Sequence, residues 1–150
     1  MANTKIQSDR IDSSNRSFIS AGRTGTQSIT SGSYQKIQLN TVITDRLGEY
    51  DNTTNYRFTC LEDGVYSVAV GISYNSLITG ALYCSIRYNG ANALVSIENG
   101  NAQYGGPSIS GSIELVSGDY LELWAYKASA GTVNVHSDPD LTFMTITRTS

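Results

Sequence analysis

The chain of 150 residues is poor in the side chains that carry most enzymatic chemistry: one histidine, two cysteines, and only 15% charged residues. A single histidine leaves little from which to build a zinc site. His136 has Ser137 and Asp138 beside it, but neighbours on one strand do not converge as a Ser-His-Asp triad requires, so no catalytic residue is assigned. With three lysines and a net charge of -3, no basic field exists to attract phosphate backbones, which argues against nucleic-acid binding. No run of 18 apolar residues is present, which excludes a membrane-spanning helix. The opening Met1 to Arg10 has no apolar core and does not read as a secretory signal. Cys60 and Cys84 both fall in strand-like segments. Their spacing does not decide whether they pair, and in a reducing compartment they act as small buried hydrophobes.

What the chain does have is a large uncharged polar load: 20 Ser, 15 Thr and 11 Asn, with 14 Gly and 10 Tyr. Thr, Tyr, Val and Ile suit a half-buried pleated surface, and Gly, Asn and Ser suit the turns between strands. At this length one domain is expected, burying about 70% of its unfolded surface.

The most informative stretch runs from Tyr56 to Val70. Tyr56, Phe58 and Cys60 alternate with Arg57, Thr59 and Leu61; Glu62-Asp63-Gly64 supplies turn chemistry; then Tyr66, Val68, Val70 and Ile72 resume a period of two. This predicts strand, tight turn, buried strand. Residues 1 to 16 read as a polar arm, ordered only if something holds it, and residues 17 to 150 as the domain. Within it, strands are expected at 17–21, 35–43 with Ile37 and Leu39 on one face, 81–88, 93–97, 108–116, 120–127, 133–136 and 141–148. Asn89-Gly90 marks a hairpin. Gly22 to Ser33, Asp45 to Asn55 and Asn99 to Pro107 read as loops. About ten short strands and no helix predict an all-β sandwich.

The strand at 120–127 has two apolar faces: Leu121, Leu123 and Ala125 on one, Glu122, Trp124 and Tyr126 on the other. Such a strand is buried on both sides or meets a partner.

With these strands placed, most of the chain resembles the C1q-like globular domain of the complement and tumour-necrosis-factor jelly rolls. Arg57-Phe-Thr-Cys-Leu-Glu-Asp-Gly-Val-Tyr-Ser-Val carries the most specific match. Ser17-Phe-Ile-Ser-Ala-Gly-Arg-Thr resembles the family's opening strand and Ile37 to Asp45 its second. Tyr50 fits the tyrosine before the Phe-Thr-Cys block. Gly111-Ser-Ile-Glu-Leu-Val-Ser-Gly-Asp-Tyr-Leu-Glu-Leu resembles the late signature, and Leu141 to Ile146 the closing strand, which has Phe143-Met-Thr-Ile in place of the usual Phe-x-Gly-Phe. Residues 1 to 16 carry no collagen-like Gly-X-Y repeat. Cys84 matches one half of a disulfide seen in some members, but no cysteine stands near Ile97, so both thiols are expected to be free.

The resemblance implies a ten-stranded jelly roll, usually a homotrimer. An interface of Ser67, Ala69 and Gly71 with Glu122, Trp124 and Tyr126, joined by Met144 and Ile146, would cover the second face of the 120–127 strand. No cofactor is expected; calcium is the candidate ion, with oxygen ligands from Asp45, Glu49 and Asp51 in one loop and Asp138 and Asp140 in another. Tyr50, Tyr74, Tyr88 and Tyr104 are candidates for stacking on sugar or a protein partner. The expected role is a non-enzymatic structural or adhesive module of a virion, such as a phage head-decoration, fibre or tail-associated protein. Its arm would be anchored in a larger assembly, and its loops exposed to host glycan or protein. The alternative is a free-standing lectin-like or ligand-binding module.

Overall fold

The computed structural model describes residues 16 to 100 and 104 to 150. The expected arm lies almost wholly outside them. Thirteen strands are present among the described residues: β1 (Phe18–Gly22), β2 (Gln27–Thr30), β3 (Gln35–Lys36), β4 (Thr41–Asp45), β5 (Tyr50–Asp51), β6 (Arg57–Thr59), β7 (Gly64–Gly71), β8 (Gly80–Tyr88), β9 (Ala91–Gly100), β10 (Ser108–Leu115), β11 (Tyr120–Lys127), β12 (Thr132–Val135) and β13 (Phe143–Arg148). A five-stranded antiparallel sheet has the order β10-β7-β13-β1-β4. A six-stranded sheet has the order β5-β6-β11-β8-β9 with β3 beside β11, and β12-β2 form a separate pair.

The count exceeds ten for identifiable reasons. The expected strand 35–43 is two strands, because the chain crosses between sheets there: β3 pairs with β11 and β4 with β1. Ile37 and Leu39 are buried in the crossing, where Leu39 N–H bonds the Ile37 carbonyl at 3.1 Å. β2 lies in what reads as a loop. Its one apolar residue, Ile29, shows no alternation, and its partner β12 is about a hundred residues away. β5 lies in the other expected loop and pairs with β6.

Phe58 to Val70 behaves as its pattern demands, with one difference, whereas Tyr56, with φ of 49°, lies before β6 and is half-buried. Phe58, Cys60, Tyr66, Val68 and Val70 are all buried, but β6 belongs to the six-stranded sheet and β7 to the five-stranded one. Glu62-Asp63 is therefore a corner from which the chain changes layer, and the two inward rows face each other across the core. The Tyr66 hydroxyl fixes that corner by donating to the Glu62 carbonyl at 2.7 Å.

The late signature is an equally definite device. Asp119 accepts the Val116 N–H at 2.8 Å, the Asn89 side-chain amide at 2.8 Å and the Tyr88 hydroxyl at 2.9 Å. Asn89, with φ of 48°, answers by accepting the Tyr120 N–H. The turn before β11 is so tied to the tip of the β8–β9 hairpin. Arg23, in the Arg-Thr of the opening segment, spends its guanidinium on the carbonyls of Gly25, Thr26 and Gln38. Both cysteines are buried and unpaired, and burial pushes the Cys84 thiol up to about 12.

Candidate interaction surfaces

Alternation sends one face of each sheet into the core and the other outward. On the five-stranded sheet the outward residues form three cross-strand rows: Ser112, Ser67, Thr147 and Phe18; Ser110, Ala69, Thr145 and Ser20; Ser108, Gly71, Phe143 and Gly22. None of these twelve is charged, and most are small; at the margins of the face, Glu114 continues the outward parity of β10 and the Arg46 guanidinium lies 5.2 Å from the Phe18 ring. Gly71 lies beneath the Phe143 ring, where a Cβ would come within 2.9 Å of the ring edge.

This face holds three of the expected interface residues, Ser67, Ala69 and Gly71, and not the others. Met144 and Ile146 are 0% exposed. On β13 they point into the sandwich with the other aliphatics, so Phe143, Thr145 and Thr147 take the outward positions. Glu122, Trp124 and Tyr126 do point away from the core, but from the six-stranded sheet on the opposite side of the molecule. Part of their cover comes from their own chain.

That cover is a cluster of cations and rings. The Arg87 guanidinium lies 4.0 Å from the Trp124 ring centre and 5.0 Å from that of Tyr34. Lys36 Nζ lies 5.6 Å from Trp124 and bonds Glu122 at 2.6 Å. Glu122, only 6% exposed, also accepts the Trp124 indole N–H at 2.9 Å. Tyr126 contacts Tyr34 at 5.0 Å and Tyr83 edge-on at 5.3 Å. The side chains come from β3, β8, β11 and the residue before β3, so sequence reasoning singled out only those on β11. The signal available for the rest was the parity of Tyr83, Ser85 and Arg87 on their strand.

The four candidate recognition tyrosines separate sharply. Tyr104, with φ of 65°, is 58% exposed at one end of the sandwich and meets His136 edge-on at 6.0 Å. Tyr50 and Tyr74 are core residues, not ligand-facing ones. Burial drives both phenols well above their usual range. The Tyr88 hydroxyl is engaged by Asp119, which raises its pKa. His136 Nδ1 has no hydrogen-bond partner, so neither Ser137 nor Asp138 forms a catalytic relay with it there.

Three of the five acidic candidates for calcium, Asp45, Asp51 and Asp138, accept N–H groups of their own turns. Asp45 accepts the N–H groups of Gly48, Glu49 and Tyr50. Asp51 accepts those of Thr53, Thr54 and Asn55, which hold its carboxyl well below the usual range. Asp138 accepts the Asp140 N–H. Glu49 is buried, which pushes its carboxyl up against the opposing hydrogen bonds from Ser17 and Leu61. Among the described residues, no three of His, Cys, Asp and Glu gather as a metal site.

Two antiparallel sheets joined in this order define a jelly roll of the C1q and tumour-necrosis-factor kind, and solved structures share it. Murine APRIL aligns with a TM-score of 0.70 at 12% identity, over 89% of this chain and 99% of that one. The globular domain of zebrafish complement 1qA aligns at 0.66 and 16% identity, over 90% and 98%. PRD1 vertex protein P5 aligns at 0.65 and 15% identity, over 89% and 73%. No family model matches the sequence, and no curated protein matches it. The chain therefore has the C1q/TNF-like fold, and at these identities the likeness is one of fold. Among the described residues, no helix is long and apolar enough to cross a membrane.

Proposed function

We propose that the chain is a non-enzymatic homotrimeric module, structural or adhesive, exposed on a virion or cell surface and tethered through residues 1 to 16. The observation that carries this is the patch of small, uncharged residues at the centre of the outer face of the five-stranded sheet, around Ala69 and Thr145. Small Ser, Ala, Gly and Thr side chains let three such sheets approach closely around an axis. The half-buried Phe18 and Phe143 supply apolar contact. The fold shared with a vertex protein supports the virion setting. The aromatic and cationic face of the other sheet supports the second reading, a free-standing ligand-binding module, because it stays outward in such a trimer.

The test is light scattering on the full chain at micromolar concentration, with Ala69→Arg and Thr145→Arg alongside. The reading expects a trimer that both variants convert to a folded monomer. A wild-type monomer overturns it.

A further inference from the structure

We propose that the outer face of the six-stranded sheet binds a carboxylate-bearing saccharide, with Arg87 pairing to the carboxylate and the neighbouring tyrosine rings carrying the sugar. This rests on the recognition half of the reading above and does not need the trimer.

Three observations converge on this face. First, Arg87 is a cation without a counter-charge: among the described residues it has no carboxylate or hydrogen-bond partner, and its Nε is buried and unpaired. Lys36 and Glu122 neutralise each other beside it, so the Arg87 charge is left unmatched; the other cation on this face, Arg57 on β6, lies 4.3 Å from the Tyr120 ring. Second, the Arg87 charge is pre-positioned, since the guanidinium rests between Trp124 and Tyr34. A planar fork held by two rings loses little entropy on pairing, and its geometry matches a planar carboxylate. Third, a row of apolar side chains crosses the strands next to it: Tyr34, Tyr126, Tyr83 and Ile97, the last 55% exposed.

The shape selects the ligand class. An extended peptide adds to a free sheet edge and a helix needs a groove, whereas this is the flat middle of a sheet. The tilted Tyr34 and Tyr126 rings, 5.0 Å apart, and Tyr83 edge-on to Tyr126 offer apolar surface for the C–H face of a pyranose, with hydroxyl tips that can bond its polar rim. Arg87 over Trp124 and Arg57 over Tyr120 are isolated cations and not the continuous charged track that a polyanion needs.

Trp124 is the chain's one tryptophan, so its fluorescence reads the site directly. The full chain is titrated with sialyllactose and with trigalacturonate, which separate a sialic from a uronic acid. Lactose and neutral trigalactose serve as uncharged counterparts, acetate as a carboxylate without a ring, and oligothymidylate as a polyanion. The proposal expects saturable quenching or a shift with at least one acidic sugar, at an affinity about tenfold or more above its neutral counterpart. Arg87→Gln weakens binding by about tenfold, Arg87→Lys by less, and Tyr34→Leu weakens both acidic and neutral sugars. Circular dichroism checks that each variant folds, and Arg87→Lys carries the comparison if Arg87→Gln does not. No saturable response to either acidic sugar, equal affinity for neutral sugar, an Arg87→Lys or Arg87→Gln protein that binds as wild type, or tighter binding of oligothymidylate overturns the proposal. Light scattering on the same samples separates the two claims: a monomer that binds acidic sugar defeats the trimer and leaves the site standing.

Discussion

The Asp119 carboxylate accepts the Asn89 side-chain amide at 2.8 Å across 30 residues of sequence, so that one carboxylate links the tip of the β8–β9 hairpin to the turn that opens β11. Its hydrogen bonds, from Val116, Asn89 and Tyr88, hold its pKa below the ordinary 3.8. A carboxyl depressed in the folded state stabilises above its unfolded pKa and loses that contribution as pH falls through the folded value. Asp119→Asn is therefore expected to lower Tm at pH 7, with the two melting curves converging as pH falls from 7 to below the ordinary 3.8. A constant difference across that range would count against the linkage.

Glu49 runs the other way. Burial raises its carboxyl above the ordinary 4.5, so its contribution is fullest below that value and falls as pH rises through the folded pKa. Glu49→Gln keeps an oxygen to accept the Leu61 N–H and turns its amide N–H towards the Ser17 hydroxyl, which can accept in place of donating, and is expected to be neutral or stabilising at pH 7. A variant clearly less stable at pH 7 than at pH 4, relative to wild type, would contradict this.

Met144 and Thr145 are adjacent and differ in role. Met144→Ala is expected to cost about 2 to 5 kcal/mol in urea unfolding, as a buried side chain lost from the sandwich. Thr145→Ala, on the outer face, is expected to cost under about 0.5 kcal/mol in a monomeric background such as Ala69→Arg. Equal costs would return Met144 to the surface.

Two buried tyrosines give opposite responses to loss of the hydroxyl. The Tyr74 hydroxyl is buried with no partner, so Tyr74→Phe is expected to hold or raise stability. The Tyr66 hydroxyl bonds the Glu62 carbonyl at the corner between sheets, so Tyr66→Phe is expected to cost about 1 kcal/mol. Denaturant melts of the pair decide it.

Local chemistry was enough to determine a good part of this protein. The alternation of Phe58, Cys60, Tyr66, Val68 and Val70, the Asn89-Gly90 turn and the Ser117-Gly118-Asp119 turn are written in neighbouring residues. A pleat of period two and a backbone of positive φ leave their mark within a few positions. Hence the all-β jelly roll, the Glu62-Asp63 turn and most of the core were legible. The sheet to which each outward row belongs was not. Parity tells which residues share a face of one strand, but not which strands lie side by side. Glu122, Trp124 and Tyr126 thus looked like companions of Ser67 and Ala69, although β7 and β11 are in different sheets. The arginine that covers Trp124 comes from β8 and the lysine from β3, and only strand pairing brings them together. Cross-strand register, set by contacts across the whole chain, decided where the faces are and what they offer a partner.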